Sequence, residues 1–232
     1  MRHKKLRKLA IVCLLMGAFG IGICIRYEEE HMNPDTRLKY VSVQTEQEIK
    51  QVAITFDDGP SEPCTEKLLD GLKERGVKAS FFVIGMYAKE HPELIKRMKE
   101  EGHIIGNHTY HHVELTKLTE EEMKQELRMT NDVIRQITGE TPVFARPPFG
   151  DWNKKKDFPE ELIPVLWNVD PLDWKTLNTA SVVNDIMKEV EDGDIILLHD
   201  SYPTSVEAAL QCIDLLQKQG YQFVTVDELM FG

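Results

Sequence analysis

Gln51-Val-Ala-Ile-Thr-Phe-Asp-Asp-Gly-Pro60 decides how the rest of the chain is read. An apolar, β-branched run ends at two adjacent carboxylates, and a Gly-Pro pair follows. The run predicts a buried strand. Gly59-Pro60 turns the chain, which puts Asp57 and Asp58 on the rim of a core element. Two neighbouring anions repel, so each needs a cation, a proton or strong donors to stay there. A lone Asp-Asp at a strand end is usually a solvated turn. Here the remaining sequence offers a partner for each carboxylate.

From Gln51 onward, short apolar runs alternate with helical patterns. A helix is predicted from Glu62 to Arg75, with Pro63 in its first turn, Leu68, Leu69 and Leu72 as its apolar stripe and Gly76 as its stop. Ala79–Ile84 reads as the second strand, and Pro92 opens a helix that Gly102 ends. His103–Gly106 is a short third strand. Thr119 with Glu122 three residues on forms a capping box for a long helix closed by Gly139. Strands follow at Pro142–Ala145, Ile163–Val169, Asp194–Leu198 and Tyr221–Val226, with helices at Ser181–Val190 and Thr204–Gln219. Such alternation implies a parallel sheet with helices outside it. The fold expected is α/β: a small or incomplete (β/α) barrel, deformed TIM-like, of about seven strands. A doubly wound open sheet is the second choice. Both bind ligands at the carboxyl ends of their strands.

The 232 residues carry a formal charge of −11, with 41% hydrophobic and 29% charged side chains. The first 26 residues hold six basic and no acidic groups, so the remainder has 22 basic against 39 acidic residues, a net −17. That is a poor match to nucleic acid and favours a neutral or cationic partner. Residues 1–26 read as a targeting segment: Arg2, Lys4, Lys5, Arg7 and Lys8 flank an uncharged stretch from Leu9 to Ile25. Ile21, Ile23 and Ile25 occupy the positions where small residues would mark cleavage. An uncleaved membrane anchor is the expectation, with everything after Arg26 outside the cytoplasm and secretion as the alternative if the segment is cleaved. Residues 27–48 read as a polar linker, 49–232 as one domain, and Lys154-Lys-Lys156 as a solvated loop. Cys13 and Cys24 lie in the apolar segment, which leaves Cys64 and Cys212 as buried, unpaired thiols.

The polar clusters fall where the predicted strands end. His108-Thr-Tyr-His-His112 places two imidazoles four residues apart, and one carboxylate of the Asp57-Asp58 pair would complete a three-ligand set open to water. His111 between them is expected to point elsewhere. Arg146-Pro-Pro-Phe-Gly150 puts an arginine on a stiff loop, able to hold a carboxylate ionised. Asp170-Pro-Leu-Asp173-Trp174 offers a carboxylate and an aromatic wall. Leu197-Leu-His199-Asp200 sets an imidazole at the end of an apolar strand, suited to general acid work.

These five motifs, in this order across residues 50 to 230, resemble those of the polysaccharide deacetylases, carbohydrate esterase family four, also called the NodB homology domain. The resemblance implies that Asp58, His108 and His112 bind a divalent metal, zinc ahead of cobalt, nickel or manganese. It implies Asp57 as general base, Arg146 as its holder, and His199 paired with Asp173 as the acid that protonates the leaving amine. The Phe149 backbone N–H would assist the oxyanion, and Trp174 and Leu197 would line the acetyl pocket. Phe149 stands where tyrosine is frequent, which matters little if only the backbone N–H acts. The implied substrate is an acetylated glycan polymer, with cell-envelope peptidoglycan ahead of chitin or poly-N-acetylglucosamine and of O-acetyl xylan. A metal phosphohydrolase would be expected to show more ligands or a phosphate-cradling loop. An inactive surface glycan-binding relative would have lost a base, ligand or acid.

Overall fold

The structure, a computed structural model, describes residues 10–16, 21–27, 49–151, 158–159 and 161–232. In the N-terminal unit, β1 (Ala10–Met16) pairs antiparallel with β2 (Ile21–Tyr27). Both strands fall largely within the apolar stretch from Leu9 to Ile25. Ile21, Ile23 and Ile25 alternate with Gly22 and Cys24, a strand period carried by β-branched residues. Among the described residues no helix is long and apolar enough to cross a membrane. The lysine run, and the linker beyond Tyr27, lie outside the described residues.

The second unit, residues 49–232, runs β3 (Gln51–Asp57), α1 (Cys64–Glu74), β4 (Ser80–Val83), α2 (Gly85–Glu90), α3 (Pro92–Glu100), β5 (Ile104–Asn107), α4 (Glu120–Thr138), β6 (Phe144–Ala145) and β7 (Ile163–Pro164). It continues through α5 (Asp173–Thr176), α6 (Thr179–Glu189), β8 (Asp194–His199), α7 (Pro203–Lys218), β9 (Gln222–Phe223) and α8 (Val226–Phe231). Every strand pair in this unit is parallel, in the order β7-β6-β5-β4-β3-β8, with β9 on the first two residues of β3. The sheet curls into an incomplete (β/α) barrel.

Strand parity sorts the side chains. Val52, Ile54 and Phe56 of β3 pack outward with Leu68, Leu69 and Leu72 of α1 and with Ala209, Ile213 and Leu216 of α7. Ala53 faces inward with Phe82, Phe144 and Val165, and α8 adds Val226 from below. Thr55 and Asp57 share the inward parity of Ala53, while Leu197 and His199 share that of Ile195 on β8. Because Asp57 is in register with His199, the alternation that builds the core delivers both groups to one end of the barrel interior. Removing a buried leucine such as Leu68 from the outer layer would cost about 2–5 kcal/mol.

The long helix begins and ends as its sequence predicts: Thr119 and Glu122 form the capping box, and Gly139 stops it at φ 80°. Cys64 and Cys212 are free and buried. Several expected strands are shorter than their apolar runs, and two of these differences have a clear cause. Of Ile163–Val169, only Ile163 and Pro164 pair with β6, and Val169 bridges Ile196 of β8 on the other side. The segment crosses the gap between those two strands, so its middle cannot lie in either ladder. The expected final strand, Tyr221–Val226, pairs at two residues only, because Thr225 and Glu228 form a second capping box that starts α8.

Candidate active site

Of the six non-glycine residues with positive φ among the described residues, four stand in loops that leave carboxyl ends of the barrel strands and two cap α5. They are Asp58 after β3, Thr109 and His112 after β5, Phe149 after β6, and Leu172 and Leu177 on either side of α5. Such backbone costs of order 1–3 kcal/mol each and persists where the surroundings over-determine it, which is typical of functional sites.

The Asp-Asp pair splits into two environments. Asp57 is buried, and its Oδ1 accepts from Arg146 Nη1 at 2.8 Å. Arg146 is wholly buried between the rings of Phe82 and Trp167, 4.1 and 5.5 Å from their centroids. It also donates to the Thr55 hydroxyl and to the Val165 and Leu166 carbonyls. Those carbonyls belong to the crossing segment between β7 and β8, so one guanidinium satisfies the broken ladder and fixes the carboxylate. Burial pulls the Arg146 proton affinity down and Asp57 opposes it; a guanidinium stays charged regardless.

Asp58 faces the imidazoles. Its Oδ1 lies 3.4 Å from His108 Nε2 and 3.2 Å from His112 Nε2, and it is buried without a hydrogen-bond partner. His108 Nδ1 lies 2.7 Å from the Arg146 carbonyl oxygen. A carbonyl only accepts, so Nδ1 carries the proton and Nε2 presents a lone pair to Asp58. Burial lowers His112, with Asp58 pulling it up and His108 pushing it down. Burial raises Asp58, but the neighbouring imidazoles of His108, His112 and His199 bring it below the usual carboxylate range. The three donor atoms lie within 4.8 Å of one another. Three lone-pair donors converging on one point, one of them orphaned, fit a divalent cation.

On the other side of Asp58, His199 Nε2 stands 3.9 Å from Oδ2. Asp173 holds His199 twice, accepting from its backbone N–H and its Nδ1, each at 2.8 Å. Burial lowers the His199 pKa, but the bond to Asp173 and the charges of Asp173, Asp57 and Asp58 outweigh it and raise it to about 9. Burial pushes Asp200 up to about 7; the Thr65 bond opposes it, and Asp58 and Asp57 add to it.

The predicted residues thus come together. Phe149 meets His112 edge-on at 4.9 Å, with its side chain 66% exposed. Trp174 is 47% exposed beside buried Asp173, so it is not ordinary core. Leu197 is buried next to Thr55 in the β3–β8 register. Asp170 accepts from the Leu172 N–H. His111 points elsewhere, with Nδ1 2.8 Å from Glu126.

Sequence reading passed over several supports. Thr55 accepts from Arg146 and donates to the Ile196 carbonyl; a threonine inside an apolar run was its signal, since a buried hydroxyl must be bonded. Buried Asn107 donates to Leu127 O and Asn131 Oδ1 and accepts from the Thr109 N–H, which sets the loop of His108. Glu126 on α4 accepts from the Tyr110 and His111 N–H groups. Nothing local to Glu126 marked it.

A family model described as polysaccharide deacetylase matches residues 44–158. Peptidoglycan-N-acetylmuramic acid deacetylase PdaC of Bacillus subtilis (strain 168) is 42% identical over 180 residues, 78% of this chain and 38% of that protein. A peptidoglycan-N-acetylglucosamine deacetylase of Bacillus cereus is 35% identical over 199 residues, 82% of this chain and 93% of the relative. The chain belongs to the polysaccharide deacetylase family. The solved structure of peptidoglycan deacetylase PdaC from Bacillus subtilis matches with a TM-score of 0.77 at 41% identity, over 79% of this chain and 91% of that one. This family member spans little more than a third of the length of full PdaC.

Proposed function

We propose that this chain is a metal-dependent deacetylase that removes N-acetyl groups from N-acetylglucosamine units of a cell-envelope glycan, peptidoglycan ahead of chitin-type polymers. The observation that carries it is the open Asp58–His108–His112 set, flanked by a carboxylate held by Arg146 on one side and an imidazole held by Asp173 on the other. Relatives named as peptidoglycan deacetylases support the polymer.

A divalent ion in that set, zinc ahead of cobalt, nickel or manganese, supplies Lewis-acid activation of water and of the acetyl carbonyl. Asp57, kept in place by Arg146, takes the proton from the attacking water. His199 enters protonated, aligned by Asp173, and gives its proton to the amine as the C–N bond breaks. The products are acetate and a free amine. The Phe149 backbone N–H faces the developing oxyanion, and Trp174 and Leu197 flank the acetyl methyl. Placement outside the cytoplasm, with membrane attachment through the N-terminal segment, is supported by the basic flank from Arg2 to Lys8 and the uncharged stretch after it.

The test is acetate release by the full chain from chitooligosaccharides and from peptidoglycan, metal-stripped and then with zinc restored. Zinc-dependent release is expected, with peptidoglycan preferred. Asp57→Asn should keep zinc and lose roughly 10²–10⁴-fold in turnover. Tight zinc binding with no release from any acetylated glycan would sink the reading.

A further inference from the structure

Behind the Asp57-Asp58 turn lies a carboxylate that the proposed chemistry does not use. Asp200 is fully buried, follows His199 directly, and accepts from the Thr65 hydroxyl at 2.5 Å. Its other oxygen has no hydrogen-bond partner. Burying a carboxyl group with one partner, close to two more carboxylates, is costly, and an apolar side chain would fill the space at lower cost.

The contacts show what the group holds. A Cβ on Gly59 would lie 2.2 and 2.3 Å from the two Asp200 oxygens, so the Gly59 backbone rests directly on the carboxyl group. Thr65, also fully buried, accepts the Ser61 N–H at 2.7 Å through the same hydroxyl that it donates to Asp200. The Thr65 N–H returns to the Ser61 carbonyl at 2.8 Å. The turn that carries Asp57 and Asp58 is therefore clamped at Gly59 by contact and at Ser61 by a hydrogen-bond relay. Both clamps end on the residue next to His199.

We propose that Asp200 is a positioning residue, which through Gly59 and the Thr65–Ser61 relay fixes the Asp57-Asp58 turn relative to His199. It touches neither substrate nor reacting atoms. Its role depends on shape and on an acceptor for Thr65, so an amide can replace it and a methyl group cannot. The inference rests on the proposed function for its meaning in catalysis, but the clamp itself is read by metal affinity.

The experiment compares Asp200→Ala, Asp200→Asn, Thr65→Val and Thr65→Ser in the full chain. The readouts are zinc affinity by chelator competition, kcat and KM on an acetylated glycan oligomer, and folding by circular dichroism. Thr65→Val and Asp200→Ala should weaken zinc and lower kcat by about 10–100-fold, as loss of support behind a ligand does, with KM within about two-fold. Thr65→Ser and Asp200→Asn should stay within about three-fold of the starting protein. Near-isosteric Thr65→Val keeps the test sharp if Asp200→Ala does not fold. Unchanged zinc affinity and kcat in Thr65→Val overturns the proposal, as does an Asp200→Asn as damaged as Asp200→Ala. If the unsubstituted chain binds zinc but releases no acetate, the functional reading fails and the zinc affinities alone decide the clamp.

Discussion

Two buried histidines bracket the same strand, and they do opposite things. His103 precedes β5 and His108 follows it. At the amino end, His103 Nδ1 accepts the Ala79 N–H at 3.1 Å. At the carboxyl end, His108 Nδ1 donates to the Arg146 carbonyl at 2.7 Å. The backbone group each ring meets dictates its tautomer: an N–H needs a lone pair on Nδ1, and a C=O needs a proton there. Neutral His103 must carry its proton on Nε2, whose nearest acidic atom is Glu101 Oε2 at 4.0 Å. Neutral His108 keeps a lone pair on Nε2, aimed at Asp58. One ring is a fastener and the other is a ligand, for a reason that lies in the backbone.

The largest contrast comes from removing each ring. His108→Ala should abolish zinc binding and bring acetate release to background. His103→Ala should leave both within about three-fold while lowering stability by roughly 1–3 kcal/mol, the cost of an orphaned buried N–H. Equal loss of zinc in both variants would break the comparison. Next in size is Arg146→Met, which strands Asp57 and two carbonyls. Breaking a buried pair costs about 3–5 kcal/mol, so denaturant midpoints should fall further than for any single change at His103.

The pH dependence sharpens the contrast. His199 is raised from 6.5 to about 9, so its stabilisation is complete below 6.5 and fades as pH climbs through about 9. Asp173→Asn removes its main partner, and the basic limb of the kcat/KM profile should move to lower pH. His103 is depressed to about 4, by burial first and by Lys78 and Arg97 against Glu101. Its contribution is present above 6.5 and disappears as pH falls towards 4. The smallest effect expected is in His103→Gln, which should flatten acid destabilisation over that window without touching the activity profile.

Residue chemistry and spacing made much of this legible. The capping box at Thr119 and Glu122, the stop at Gly139 and the alternation through β3 rest on neighbours within four residues, and each formed as read. The crossing segment from Ile163 to Val169 was overestimated because apolar content does not reveal that a run must pass between two strands. Helix α8 was missed because Thr225 and Glu228 sit at the end of an apolar run that also suits a strand.

The sequence by itself determined which side chains stand at or beyond the carboxyl ends of the apolar runs: Asp57, Asp58, His108, His112, Arg146, Asp173 and His199. Only the tertiary structure decided which carboxylate Arg146 holds, which nitrogen His108 offers, and that Asn107, Glu126, Thr65 and Asp200 stand behind the site. The physical reason is range. Periodicity and capping are local, whereas the deciding hydrogen bonds join residues 38 apart for His108 and Arg146, 89 for Arg146 and Asp57, and 135 for Thr65 and Asp200. Such partners meet only when the barrel curls.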